Sequence, residues 1–313
     1  MSDSKNKRKI KKVQHFIQDP VYRFLVLARK GYCNFMSDEE YLKSMFHAKM
    51  GYELNLENPQ TFNEKLQWLK LHDRNPEYTR MVDKYEVKQY VANIIGEEHI
   101  IPTLGIWDNF DEINFEKLPN QFVLKCTHDS GGIVICKDKE NFELVKAKKK
   151  INKHLQRNYF YRFREWPYKD VKPRIIAEQY LTDEFGGELK DYKIFNFPGH
   201  PQIIEVDFDQ FVDHKRNFYN TDWEYIDLAL NYPTDPQHFI SKPQALDKML
   251  ELAGKLAEGI PHVLTDLYCI DDKVYFGELT FYHEAGFGKF TPESYDLEFG
   301  SWIELPGVNS TLL

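Results

Sequence analysis

Asp266 and Glu278 are the two residues of this 313-residue chain whose types and spacing carry the clearest chemistry. Each falls inside an apolar run, 263–270 and 274–279, on either side of Asp271-Asp272-Lys273, which reads as a three-residue turn. Paired as an antiparallel hairpin, the two runs bring both carboxylates to neighbouring sites on one face. Facing carboxylates repel unless a cation lies between them. A hard divalent ion such as Mg²⁺ takes oxygen ligands of this kind, with phosphate oxygens completing its shell. The competing assignment is two acids on a solvent face.

The second feature is the segment Lys125-Cys126-Thr127-His128-Asp129-Ser130-Gly131-Gly132. A glycine-rich turn presents backbone N–H groups that wrap an anion, and a lysine just before it adds a point charge for the same phosphate. It is not a Walker loop, because no Gly-Lys-Ser/Thr follows, and its flanks read strand and strand, which excludes the dinucleotide fingerprint. Alone it reads better as a plain hairpin turn. Asp83-Lys84 at a helix start and Glu178-Gln179-Tyr180-Leu181 at a strand end carry little singly. Their order along the chain carries more: a lysine, a lysine before a glycine loop, Glu-x-Tyr-Leu, then two acids across a hairpin.

These residues need elements to hold them. Asp19-Pro20 opens a helix within 16–32. Ser37 with Glu40, and Thr61 with Glu64, are capping boxes ahead of two more. Residues 82–95 read as a helix ended by Gly96. Strands are expected at 122–125, 133–136, 174–178, 191–197 and 201–208, with a turn at Gly186-Gly187. Helices are expected over 146–156 and 246–256. The pattern is α+β with mainly antiparallel strands.

Composition bounds the rest. The length allows two domains or one with sub-lobes. With 42% hydrophobic and 29% charged residues, disorder, collagen and coiled coil are excluded as the main architecture. Net charge is −8, yet residues 1–12 carry +5, so an acidic body follows a basic arm. An acidic body argues against nucleic acid as partner. Cys33, Cys126, Cys136 and Cys269 form no CxxC pair, which fits buried thiols in a reducing, cytoplasmic setting. The apolar stretch 21–28 is too short to span a bilayer. The basic arm is suited to rest on an anionic membrane surface, although a solvated tail is the commoner use of such a segment.

The ordered blocks resemble the ATP-grasp superfamily, specifically its teichuronopeptide-biosynthesis-like (TupA-like) branch. The likeness runs from about Pro59 to Gly286 and rests on Thr61 to Lys70, Val82 to Tyr85, Leu118 to Lys125, Arg164 to Trp166, Asp191 to Lys193 and Phe276 to Phe281. It implies an ATP-grasp fold, two lobes with ATP held between mainly antiparallel sheets, behind a helical N-terminal extension. The expected divisions are 1–60 (arm and extension), 61–120 (pre-ATP-grasp region), 121–182 (small lobe and lid) and 183–313 (large lobe with the metal site). The resemblance implies that Lys84 and Lys125 contact phosphates and that His128, Ser130, Gly131 and Gly132 belong to a flexible lid. Glu178, Gln179, Tyr180 and Leu181 would form the adenine-reading hinge, with Lys193 near the nucleotide. Asp266 and Glu278 would bridge Mg²⁺ to the phosphates. Two departures stand out: Thr280 where many ATP-grasp proteins have a metal-binding Asn, and Leu264 where this branch tends to have Arg.

The expected activity is ATP- and Mg²⁺-dependent joining of a carboxylate to an amine through an acyl phosphate. The expected carboxylate is a uronic acid or similar small or lipid-linked saccharide unit of cell-surface polysaccharide. Arg162, Arg164, His214 and Arg216 are candidate binders of that acid, and His283 of the acceptor, against ordinary surface roles for the same residue types. The alternatives are an ATP-grasp sugar kinase and a glycosyltransferase-associated nucleotide-binding protein.

Overall fold

The computed structural model describes residues 12–182, 189–208 and 214–307. The Gly186-Gly187 turn and nearly all of the basic arm lie outside them.

The small lobe is a four-stranded antiparallel sheet in the order β1-β4-β2-β3: β1 (Thr103–Trp107), β2 (Phe122–Cys126), β3 (Ile133–Cys136) and β4 (Ile175–Gln179). Alternation sorts β2. Phe122, Leu124 and Cys126 enter a core with Ala147 and Ile151 of the helix Leu144–Leu155, while Val123 and Lys125 face the other way.

The large lobe is a six-stranded sheet in the order β11-β10-β5-β6-β7-β8. Its strands are β5 (Asp191–Phe197), β6 (His200–Phe208), β7 (Lys215–Asn220), β8 (Tyr225–Ile226), β10 (Val263–Ile270) and β11 (Lys273–Thr280). A two-stranded ribbon joins β9 (Ala229–Leu230) to β12 (Phe290–Thr291). The helix Leu246–Leu256 buries Leu246, Met249, Leu252, Ala253 and Leu256 in the large core. That core also takes Phe62, Leu66, Val87 and Val91, so the 62–95 segment packs with the large lobe. Phe62 lies 5.9–6.3 Å from the rings of Phe195, Phe197, Phe290 and Phe299, and such pairs each add roughly 0.5–1.5 kcal/mol to burial.

The caps read from the sequence are present. Asp19 accepts from Val21 N and Tyr22 N, and Ser37 and Thr61 each close a capping box. Two local expectations change. The helix read over 82–95 is two helices, Glu77–Val82 and Glu86–Ile95. The Asp83 side chain accepts from Tyr85 N, and Lys84 N donates to Thr127 O, so a local side-chain bond and a tertiary bond displace the helical ones. The β10–β11 turn has two residues, not three: Ile270 pairs with Lys273, and Asp271 and Asp272 both take left-handed φ, 48° and 61°. That conformation suits a tight hairpin.

A third core carries the N-terminal extension. Tyr41, Leu42, Met45 and Phe46 of the helix Asp38–Met50 pack with Ala28 and Leu54, and against Ala285 and Phe287.

Candidate active site

Between the two sheets lies a cleft of about 1020 Å³. From the small lobe, Val123, Lys125, Gly131 and Ile133 line it, with Glu178, Gln179, Tyr180 and Leu181 at its rear. From the large lobe come Asp191, Asp266, Tyr268, Phe276 and Glu278. Lys84 and Lys88 close the side.

Asp266 and Glu278 are direct cross-strand partners, and Asp266 also faces Lys193 on β5. A bulge after Asp266 shifts the register at this rung; bulges commonly re-aim side chains beside active sites. Lys84 Nζ donates to Glu278 at 2.5 Å. The Lys84 charge holds the Glu278 carboxyl down to about 2. Lys193 contacts Asp191 and lies 2.8 Å from Asp266 Oδ2. Burial opposes the Lys193 charge, but Asp191 and Asp266 outweigh it and lift its pKa well above the ordinary lysine value. Asp266 is pushed the other way for a carboxyl. Burial raises its pKa, Lys193 offsets part of this, and Asp191 and Glu278 raise it further.

On the small-lobe side, Glu178 lies 2.5 Å from Lys88 Nζ and 2.6 Å from Lys125 Nζ. Lys88 also donates to Ile101 O at 2.6 Å. Lys84, Lys88 and Lys125 of the cleft lining, with Lys193 paired to Asp191 and Asp266, are thus set among four carboxylates (178, 191, 266, 278).

The carboxylate pair fits the ion. Asp266 is 4% exposed, and its Oδ1 has no hydrogen-bond partner among the described residues. A buried unsatisfied oxygen costs energy that a cation would recover. Among the described residues no group of three or more His, Cys, Asp or Glu side chains converges. Phosphate and water oxygens would complete an octahedral shell.

The remaining sequence candidates lie elsewhere. His128 is buried, with its Nε2 3.1 Å from Arg157 O. The Arg162 carbonyl accepts from Tyr41 OH, and its guanidinium stacks on Phe163. Arg164, 1% exposed, spends its guanidinium on the carbonyls of Cys33, Asn34 and Met36 and lies 3.3 Å from Asp38. Arg216 is held by Glu205, Asp207 and Glu284 at 2.8–3.0 Å. His214 pairs with Asp207, and His283 with Glu205. None of these six lines the cleft. Leu264 is fully buried between Phe195 and Thr280.

Lys88 and Asp191 join the site without having been singled out. Lys88 lies four residues after Lys84, on the helix Glu86–Ile95, and Asp191 lies two residues before Lys193 on the same face of β5; that spacing was their signal. The run Thr61 to Lys70 also gains a physical reading. Asn63 exchanges hydrogen bonds with Gly288, Gln67 donates to Gly286 O, and Lys70 donates to Ala285 O and Phe163 O. This polar stripe holds the turn after β11, where Glu284 and Ala285 adopt left-handed φ, 49° and 54°. Such backbone is sustained only when its surroundings over-determine it.

Two antiparallel lobes enclosing a cleft of interleaved lysines and carboxylates define an ATP-grasp fold. The TupA-like ATP-grasp family matches residues 64–304, and the chain belongs to that family. No curated protein sequence matches it. Among solved structures it is similar to a D-alanine–D-alanine ligase from Bacillus anthracis complexed with ATP, with 16% identity and a TM-score of 0.37, covering 64% of this chain and 53% of that one. It is also similar to a D-alanine–D-alanine ligase from Helicobacter pylori (14%, 0.42, covering 77% and 69%). An L-amino acid ligase from Bacillus licheniformis gives 15% and 0.42, covering 88% and 57%. The chain spans about half the length of the first of these. At such identities the likeness concerns the fold alone.

Proposed function

We propose that this chain is an ATP- and Mg²⁺-dependent carboxylate–amine ligase that works through an acyl phosphate. The carboxylate would be a uronic acid or similar acidic unit of a cell-surface polysaccharide. The observation that carries the reading is the cleft itself, where Lys84, Lys88, Lys125 and Lys193 interleave with Glu178, Asp191, Asp266 and Glu278.

Lys84 and Lys125 reach the cleft from opposite walls and would hold the phosphate chain between them. Val123, Ile133 and Phe276 supply an apolar slot for the base, next to the backbone groups of Gln179 to Leu181. Mg²⁺ on Asp266 and Glu278 would neutralise phosphate charge. Lys193, locked between Asp191 and Asp266, keeps its proton and so serves as a fixed positive charge rather than a base. Phosphoryl transfer demands mainly positioning and charge neutralisation, which is what this set offers; no nucleophilic Ser or Cys is required.

The test is incubation with ATP, Mg²⁺, hydroxylamine and a panel of uronic acids. Hydroxamate with ADP release supports the ligase, and a stable phosphorylated sugar would replace this reading with a kinase. Nucleotide-sugar binding with indifference to ATP would replace it with a glycosyltransferase-associated role.

We further propose that the N-terminal arm brings the enzyme to an anionic membrane surface. Val13 and Ile17 are exposed one turn apart, directly after the basic residues of the arm, and among the described residues no helix is long and apolar enough to cross a membrane. Co-sedimentation with phosphatidylserine vesicles, with and without residues 1–30, tests this; equal pelleting of the two forms refutes it.

A further inference from the structure

The family resemblance implies a flexible lid at 128–132, but the observed loop is docked residue by residue on one neighbouring segment. His128 Nε2 lies 3.1 Å from Arg157 O. The Asp129 carboxylate contacts His154 Nδ1. Two consecutive loop residues are therefore keyed to positions 157 and 154, at the end of the helix Leu144–Leu155 and just beyond it.

The root is equally fixed. Cys126 N donates to Gly132 O at 2.8 Å, Thr127 N to Arg174 O at 2.9 Å, and Lys84 N to Thr127 O at 3.1 Å. Gly132 is pressed onto the same helix: a Cβ there would lie 2.9 Å from Cys126 Sγ and 3.0 Å from His154 Cβ. His128 and Asp129 are each 2% exposed, and only Ser130 and Gly131 reach solvent. Gly131 takes a φ of +96°, open to glycine at no steric cost, and it lines the cleft.

We propose that Asp129 and His154 are a positioning pair that fixes the glycine loop as a preformed grip for the nucleotide's phosphate chain. The inference rests on the nucleotide reading above. An anion-binding loop works through the directions of its N–H groups. Donors fixed before the ligand arrives cost no reorganisation on binding. His154 supplies the fixation from behind. With Nδ1–H donated to Asp129, the ring stands against the tip, its Cε1 3.6 Å from where a Gly131 Cβ would be. Neither residue needs to touch the phosphates. The small lobe then grips as one body, with the loop and the 144–160 segment moving together.

The experiment is calorimetric titration of the full chain with ATP–Mg²⁺, ADP–Mg²⁺ and adenosine, for the wild type and for Asp129→Asn, His154→Ala and His154→Asn. Asparagine at 154 keeps an N–H donor near the Nδ1 position. The expected result is a loss of at least about tenfold in ATP and ADP affinity for Asp129→Asn and His154→Ala. Adenosine affinity should stay unchanged, and His154→Asn should recover most of the loss. A general structural defect would instead weaken adenosine as much as ATP, and that pattern overturns the proposal. So does ATP affinity within twofold of wild type in a folded His154→Ala protein. Should His154→Ala not fold, the same thresholds applied to Asp129→Asn decide. A wild type that binds adenosine and ATP equally overturns this inference alone, whereas one that binds no nucleotide removes the ligase reading as well.

Discussion

Glu178 holds two lysines at once, with Lys88 Nζ 2.5 Å from one carboxylate oxygen and Lys125 Nζ 2.6 Å from the other. The carboxylate is 6% exposed, so this is a buried charge triad rather than a surface pair. Burial opposes its ionisation, but Lys125 and Lys88 outweigh burial and keep its pKa below the ordinary value. For Lys88 the balance falls the other way: burial exceeds the pull of Glu178, and its pKa lies below the ordinary lysine value. Removing the shared acid should therefore cost more than removing either base.

Glu178→Gln should destabilise the protein by about 3–5 kcal/mol at neutral pH, because it leaves buried cations uncompensated. The pH dependence follows from the sign of the shift. The folded value is the lower one, so the contribution of Glu178 is complete above about pH 4.5 and is lost as pH falls through the folded value. Urea denaturation of both proteins between pH 7 and pH 3 should show their difference shrinking on the acid side. A gap that is constant or widens there would contradict this account.

Lys84→Met and Glu278→Gln should each lower ATP turnover roughly 10²–10³-fold, as loss of a charge-stabilising group does. The two residues lie 194 positions apart in sequence and meet at 2.5 Å, so the double variant should be little worse than either single one. Additive losses in a double-mutant cycle would show that they act separately.

Much of this was legible in the sequence. The capping boxes at Ser37 and Thr61, the helix 246–256 and the strand 263–270 follow from local patterns that tertiary structure left alone. The break at Asp83 was not, because it depends on Lys84 N finding Thr127 O, 43 residues away in the chain. Lys88 reads as an ordinary helix lysine until Glu178 is placed beside it. Arg164 and Arg216 read as anion binders by residue type, yet their donors are taken up by carbonyls and carboxylates contributed from distant segments. The docking of Asp129 on His154 is hidden for the same reason. Local propensity and period fixed most elements; the pairing of charges across elements depends on the fold.

Mg²⁺ should stabilise the protein in the absence of nucleotide. Asp266 stands next to Asp191 and Glu278, and burial with these acids raises its pKa even though Lys193 offsets part of the effect. A divalent ion relieves that crowding. At 100 times its dissociation constant a ligand adds about 2.7 kcal/mol, enough to raise the thermal midpoint by several degrees. Asp266→Asn should abolish the Mg²⁺-dependent rise while costing little stability without metal, since it removes one of the crowded charges. An Asp266→Asn protein that still gains the full Mg²⁺ shift would place the ion elsewhere.

Arg164 should prove to be a structural anchor of the N-terminal extension rather than a substrate contact. Its guanidinium donates to three main-chain carbonyls from Cys33 to Met36, lies by Asp38, and sits 4.4 Å from the Tyr41 ring. It does so from a left-handed backbone position, φ 57°. All three bonds come from Nη2, while the planar guanidinium lies over the Tyr41 ring, a contact the lysine ammonium does not reproduce. Arg164→Ala removes this donor from the part-buried Asn34 and Met36 carbonyls, at up to roughly 1–3 kcal/mol for each group left unsatisfied, while the Cys33 carbonyl keeps Met36 N. Arg164→Lys should recover little of that loss. Both variants should become sensitive to limited proteolysis between residues 30 and 60, ahead of global unfolding in urea, while the 246–303 region stays protected. If Arg164→Ala instead keeps wild-type protection over 30–60 and loses only affinity for an acidic substrate, the arginine belongs to the site and not to the scaffold.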